Sequence, residues 1–172
     1  ALLALMAIGC GNDAVSTAPA RPILILVSID GFRWDYLDRF QPPALTDLAT
    51  SGVVAEGLIP EFPSKTFPNH YTIVTGLLPG HHGIISNNMR DPIIPGQFSL
   101  SNRDVQRDPR WWGGEPIWNT AERQGLKAGA MFWPGSEAVI NGRQASYWMP
   151  FDDDLPNSAR VKRVLGWLNL PE

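Results

Sequence analysis

Thr66 is the side chain in this sequence best placed to do chemistry. It sits in Pro63-Ser64-Lys65-Thr66-Phe67-Pro68-Asn69-His70-Tyr71-Thr72, a stretch that reads as a turn feeding a helix. Pro68 falls early in that helix, where a missing N–H does little harm. Phe67, Tyr71 and Val74 recur as one apolar face, and Gly76 is placed to end the helix. Thr66 therefore stands at or beside the N-cap. Its hydroxyl can cap the helix, worth about 1 kcal/mol. It can also meet a phosphate, because unpaired N–H groups and the positive dipole end make a helix start an anion site. Lys65 adds a cation beside it.

Asp30 is the second candidate. Ile23-Leu24-Ile25-Leu26-Val27-Ser28-Ile29 is an apolar run rich in β-branched residues, the pattern of a strand buried on both faces. It ends in Asp30-Gly31, and in open parallel sheets ligands bind beyond the carboxyl ends of strands. A carboxylate there is placed for chemistry, although capping the next helix or closing a turn would use it equally well.

Two more stretches follow in order, His82-Gly83-Ile84-Ile85-Ser86-Asn87-Asn88-Met89 and Phe132-Trp133-Pro134-Gly135-Ser136-Glu137. Together the four motifs resemble the nucleotide pyrophosphatase/phosphodiesterases of the alkaline phosphatase superfamily, over residues 22 to 172. The resemblance implies a zinc-dependent hydrolase of nucleotide phosphodiester and pyrophosphate bonds. Asp30 would hold the zinc that also binds Thr66. Thr66 would attack phosphorus and form a covalent nucleotidyl-threonine, releasing pyrophosphate or another leaving group. A second zinc would stabilise the departing oxygen and later activate water. Asn87 would donate a hydrogen bond to a phosphate oxygen, an interaction that can be worth about 3 kcal/mol. Phe67, Phe151 and Trp133 are the aromatics that would meet the nucleobase or wall its pocket. For all three, packing in the core is an equal alternative.

The sequence departs from that family in one respect. The family's remaining metal ligands are an Asp-x-x-x-His pair, an Asp-His pair and a late His, all from the second half of a longer chain. Here the histidines are His70, His81 and His82. The expectation is an N-terminal portion of the enzyme that turns over essentially nothing alone. Two other readings are a phospho-group transferase of the same superfamily and a lipid-anchored module that binds nucleotides without cleaving them.

The elements that must position these residues follow from pattern. At 172 residues and 44% hydrophobic, with seven Trp and seven Phe, the chain can build a core. A formal charge of −3 provides no basic field, which argues against a nucleic-acid polymer as partner. Strands alternating with helices predict a layered α/β/α fold with a mainly parallel sheet, alkaline phosphatase-like and incomplete in this chain. The expected strands are Ile23 to Ile29, Val53 to Leu58 and Lys127 to Trp133. Helices are expected over Phe32 to Phe40 (or a turn), Pro43 to Ala49, Pro116 to Gln124, and from Asn157-Ser158 with a face of Val161, Val164, Leu165 and Leu168.

Residues 1–20 read differently from residues 21–172, the expected catalytic portion. Ala1 to Ile8 is apolar but too short to span a bilayer, which takes about 20 residues, and reads as the remnant of a secretory signal peptide. Ala7-Ile8-Gly9-Cys10 resembles a bacterial lipoprotein cleavage box, with Cys10 lipidated as the only membrane attachment and Gly11 to Ala20 a tether. That predicts an exported, periplasmic or outer-membrane lipoprotein. His81-His82 suits a structural role better than zinc, since adjacent side chains rarely address one ion. Asp152-Asp153-Asp154 reads as a solvated loop, and His70 as packing and hydrogen bonding near the site.

Overall fold

The apolar run Ile23 to Ile29 forms no strand. The computed structural model describes residues 23–170 and falls into two compact units that divide after Phe32. In the first unit the run belongs to neither sheet, and Leu24 is 81% exposed. A turn closes it, with Phe32 N–H donating to Ile29 O at 3.2 Å. A strand buried on both faces takes its hydrogen bonds from neighbouring strands. Both sheets among the described residues are built from other segments, so apolar character alone leaves the run irregular. The expected strand Val53 to Leu58, in the second unit, fails for the same reason and is exposed throughout.

The second unit is dominated by helices, whose hydrogen bonds are local. The first is α1 (Tyr36–Phe40), ended by Gln41 in the left-handed conformation. α2 (Pro43–Ser51) follows with proline at its start and Gly52 at its end. α3 (Thr66–Thr75) buries Phe67, Pro68, Tyr71 and Val74, the predicted face plus the early proline. Gly76 ends it in the left-handed region at φ 67°, donating its N–H to Thr72 O at 2.8 Å. α4 (Pro79–His82), α5 (Arg103–Arg107), a 3₁₀ turn (Pro109–Trp111), α6 (Ile117–Arg123) and α7 (Asn157–Leu168) complete the helices of the described residues.

Two small sheets accompany them. Strands β1 (Asn88–Met89) and β2 (Phe98–Ser99) pair antiparallel, with Met89 opposite Phe98. Strands β3 (Gly129–Met131) and β4 (Tyr147–Met149) pair in parallel, with Ala130 opposite Trp148. The expected strand over Lys127 to Trp133 is therefore real but shorter. α7 forms as expected, although Pro156 holds its N-cap and no side chain caps it. Its predicted face is largely exposed; the helix docks instead through Trp167, which stacks on Tyr147 at 6.3 Å.

The core is aromatic. Tyr71 and Phe98 are fully buried, and Trp112 meets both edge-on, at 4.9 and 5.6 Å between ring centres. Gly135, in the Phe132–Glu137 motif, has φ +92°, and an added Cβ would lie 3.1 Å from Trp112 and 3.2 Å from Tyr71. Only glycine combines that backbone with that approach.

Candidate active site

The start of α3 brings together Lys65, Thr66 and Asn87. Lys65, extended at φ −120° and ψ 158°, occupies the N-cap, so Thr66 is the first helical residue rather than the cap itself. The first N–H groups of a helix lack intrahelical partners. One of them, that of Phe67, is taken by Asn87 Oδ1 at 2.9 Å, across 20 residues of sequence. This bond brings Asn87 to the helix start beside Thr66, and with its oxygen engaged the amide presents Nδ2–H as its donor.

Asn69 fastens the loop that leads into Thr66. Its Nδ2 donates to Glu61 O at 3.2 Å, Pro63 O at 3.0 Å and Lys65 O at 3.0 Å. Its Oδ1 accepts from Glu61 N–H at 2.8 Å. Sequence reasoning passed over Asn69. The available signal was its type, since Asn competes for backbone hydrogen bonds and suits helix interiors poorly.

His70 performs the packing role expected of it. Its Nδ1 lies 2.8 Å from Thr66 O, and its ring meets Trp133 edge-on at 5.4 Å. The Trp133 indole N–H donates to His70 O at 2.9 Å, which holds Trp133 on the flank of α3. Phe67 takes the core alternative. It is 6% exposed and packs against Phe98 at 5.7 Å, so its ring belongs to the interior.

Phe151 belongs to a different cluster. Its ring lies 4.8 Å beneath the Arg103 guanidinium and edge-on to Phe132 at 5.1 Å. Its backbone N–H donates to Glu137 Oε1 at 3.0 Å. Glu137, nearly buried, also accepts from Arg103 and from Arg107 Nε at 3.0 Å. In the sequence Glu137 is visible only as the end of the Phe132 to Glu137 motif. Arg103 and Arg107, one helical turn apart on α5, would repel each other without a carboxylate between them.

His82 is structural, as expected. It is fully buried, and its Nδ1 accepts from Ile84 N–H at 3.2 Å. The ring proton therefore sits on Nε2, 3.0 Å from Thr72 Oγ1. Burial lowers the His82 pKa below its ordinary value, keeping the ring neutral. Burial likewise pushes the Tyr71 phenol well above its usual range.

Among the described residues no group of three or more His, Cys, Asp or Glu is gathered as a metal would require. The donors assigned from the sequence are the Asp30 carboxylate and the Thr66 hydroxyl. Both oxygens are of a type that suits a divalent cation. Asp30 belongs to the first unit and Thr66 to the second, and a tetrahedral zinc takes four ligands. Cys10 lies outside the described residues.

The fold and these motifs define a class, and comparison with known proteins identifies it. The family model for type I phosphodiesterase / nucleotide pyrophosphatase matches residues 24–172. The chain belongs to that family. A venom phosphodiesterase of Crotalus durissus collilineatus is 46% identical over 168 residues, covering 95% of this chain and 20% of the relative. Ectonucleotide pyrophosphatase/phosphodiesterase family member 3 of Bos taurus is 48% identical over 153 residues, covering 88% of this chain and 17% of the relative. Among solved structures, murine ectonucleotide pyrophosphatase / phosphodiesterase 5 superposes with a TM-score of 0.78 at 37% identity, over 83% of this chain and 38% of that one. That structure is an inactive threonine-to-alanine variant in complex with AMP. The α/β, alkaline phosphatase-like fold expected from the sequence is the fold of this neighbour, present here as helices with a small parallel sheet. The chain spans about a fifth of the length of the curated relatives it matches.

One expectation is overturned. The relatives are venom and ecto-enzymes of snakes and cattle, so the prediction of a bacterial periplasmic or outer-membrane lipoprotein does not stand. The short cleavage-box pattern at Ala7 to Cys10 is small and apolar, a composition that arises readily without lipidation.

Proposed function

We propose that this chain carries the nucleophile of a nucleotide phosphodiesterase/pyrophosphatase. The observation that carries the reading is Thr66 as first residue of α3, with Asn87 bound to the next N–H of the same helix. Thr66 Oγ attacks phosphorus in line and the bond to the leaving oxygen breaks. The product is a nucleotidyl-threonine, which water then hydrolyses. The helix start and Asn87 Nδ2–H face the charge that builds on the phosphate oxygens. Lys65 contributes a further positive charge.

A threonine hydroxyl is a poor nucleophile near neutral pH. A divalent cation such as zinc, for which Asp30 and Thr66 are the ligands assigned by sequence motif, would supply the Lewis acidity that favours the ionised hydroxyl. Asp30 takes this role on its sequence motif, and a second zinc belongs to the complete site. With two of the ligands, these 172 residues by themselves turn over essentially nothing. Trp133 on the flank of α3 and Phe151 offer rings to a nucleobase, a sequence-tolerant contact that fits nucleotides in general. The AMP bound by the murine relative and that relative's threonine-to-alanine inactivation support the same chemistry.

In the enzyme that carries this sequence, Thr66→Ala is expected to lower hydrolysis of p-nitrophenyl thymidine monophosphate by at least about 10³-fold. Turnover within about tenfold of wild type would refute the assignment.

A further inference from the structure

We infer that Asn69 is a positioning residue for Thr66, an inference that rests on Thr66 being the nucleophile. Residues 61–65 have little packing to hold them. Phe62 is 91% exposed, and Glu61, Ser64 and Lys65 are exposed as well. Hydrogen bonds do the work instead, and one side chain makes four of them. The two Asn69 Nδ2–H bonds are shared among the carbonyls of Glu61, Pro63 and Lys65, while Oδ1 takes the Glu61 N–H.

The arrangement ties direction as well as place. Lys65 O receives both the Asn69 backbone N–H at 3.2 Å and the Asn69 side chain at 3.0 Å. The peptide plane between Lys65 and Thr66 is thereby gripped from a residue one turn further along α3. Pro63 O, gripped by the same amide, also accepts Lys65 N–H at 2.7 Å. The backbone on which Thr66 Oγ pivots is thus set by Asn69. In-line attack on phosphorus tolerates little error, and a misplacement of about 1 Å can cost about 10²-fold in rate. Asn69 touches no reacting atom in this account; it acts through Thr66.

The test is a steady-state comparison in the enzyme that carries this sequence, with p-nitrophenyl thymidine monophosphate as substrate. Asn69→Ala is expected to lower kcat about 30- to 100-fold while KM stays within about threefold. Asn69→Ser, which can restore one donor, is expected to recover part of that loss, and it decides the matter if Asn69→Ala does not fold. Thr72→Val, which removes the hydroxyl facing His82 on the far side of the same helix turn, serves as a control for lost stability alone. A kcat within about threefold of wild type in both Asn69 variants would overturn the inference. So would an equal loss of kcat in Thr72→Val at matched thermal destabilisation. Retained turnover in Thr66→Ala would be a separate failure, that of the nucleophile assignment, and would remove this inference with it.

Discussion

Two apolar parts of this chain meet opposite fates. The aromatic residues from Phe67 to Trp118 close into a core around the fully buried Tyr71 and Phe98. The run Ile23 to Ile29 is exposed at every position. Composition does not separate them. What separates them is where each finds its backbone hydrogen bonds. α3 satisfies its own and needs only one packed face, whereas a strand buried on both sides depends on neighbours distant in sequence. Local elements therefore form wherever their pattern occurs, and a parallel strand forms only where its partners are supplied.

The largest test of this contrast is a pair of truncations. Phe98→Ala, which empties a site lined by Phe67, Trp111 and Trp112, should cost about 3–5 kcal/mol in chemical denaturation. Leu24→Ala should change stability by less than about 0.5 kcal/mol. Comparable losses from both would break the comparison, since the run would then be packed as well.

A smaller effect is expected at the buried charge cluster. Glu137→Gln leaves Arg103 and Arg107 without their carboxylate and should cost about 2–3 kcal/mol, below the full penalty for a buried pair because both arginines are partly exposed. Thermal denaturation of the variant measures it. A loss under about 0.5 kcal/mol would show that the cluster is decoration rather than a tie between α5 and the Phe151 backbone.

The smallest effect is a pH dependence. The buried His82 has its pKa lowered from the ordinary 6.5, so the unfolded chain binds the proton more readily than the folded one. Its contribution is fully present above pH 6.5 and is lost as pH falls through the lower folded value. Stability measured from pH 8 down to pH 5 should therefore fall more steeply in wild type than in His82→Gln. Parallel curves would contradict the buried, neutral ring.

Much of the helical part was legible from the sequence. Phe67, Tyr71 and Val74 announced the buried face of α3, and Gly76 its end, because both signals are local. α2 and α6 were legible for the same reason. Of the three expected strands only Lys127 to Trp133 formed, shortened to β3. Val53 to Leu58 has strand composition, yet strand identity is decided by partners that a local pattern cannot name. Asn87 is visible by motif, while its bond to Phe67 N–H spans 20 residues and exists only once the chain has folded. Asn69 and Glu137 were illegible in the same sense, since each acts on backbone or guanidinium groups that only folding brings near. The face of α7 failed because Trp167, outside the apolar stripe, has Tyr147 to stack on.

The central claim is that Thr66 becomes covalently bound to the nucleotide. Acid quenching during turnover of a nucleotide ester, followed by proteolysis and mass mapping, tests it directly. A nucleotidyl adduct is expected on the peptide containing Thr66, localised to that residue and absent from Thr66→Ala. An adduct on another side chain, or sustained turnover with no adduct and no loss in Thr66→Ala, would contradict it.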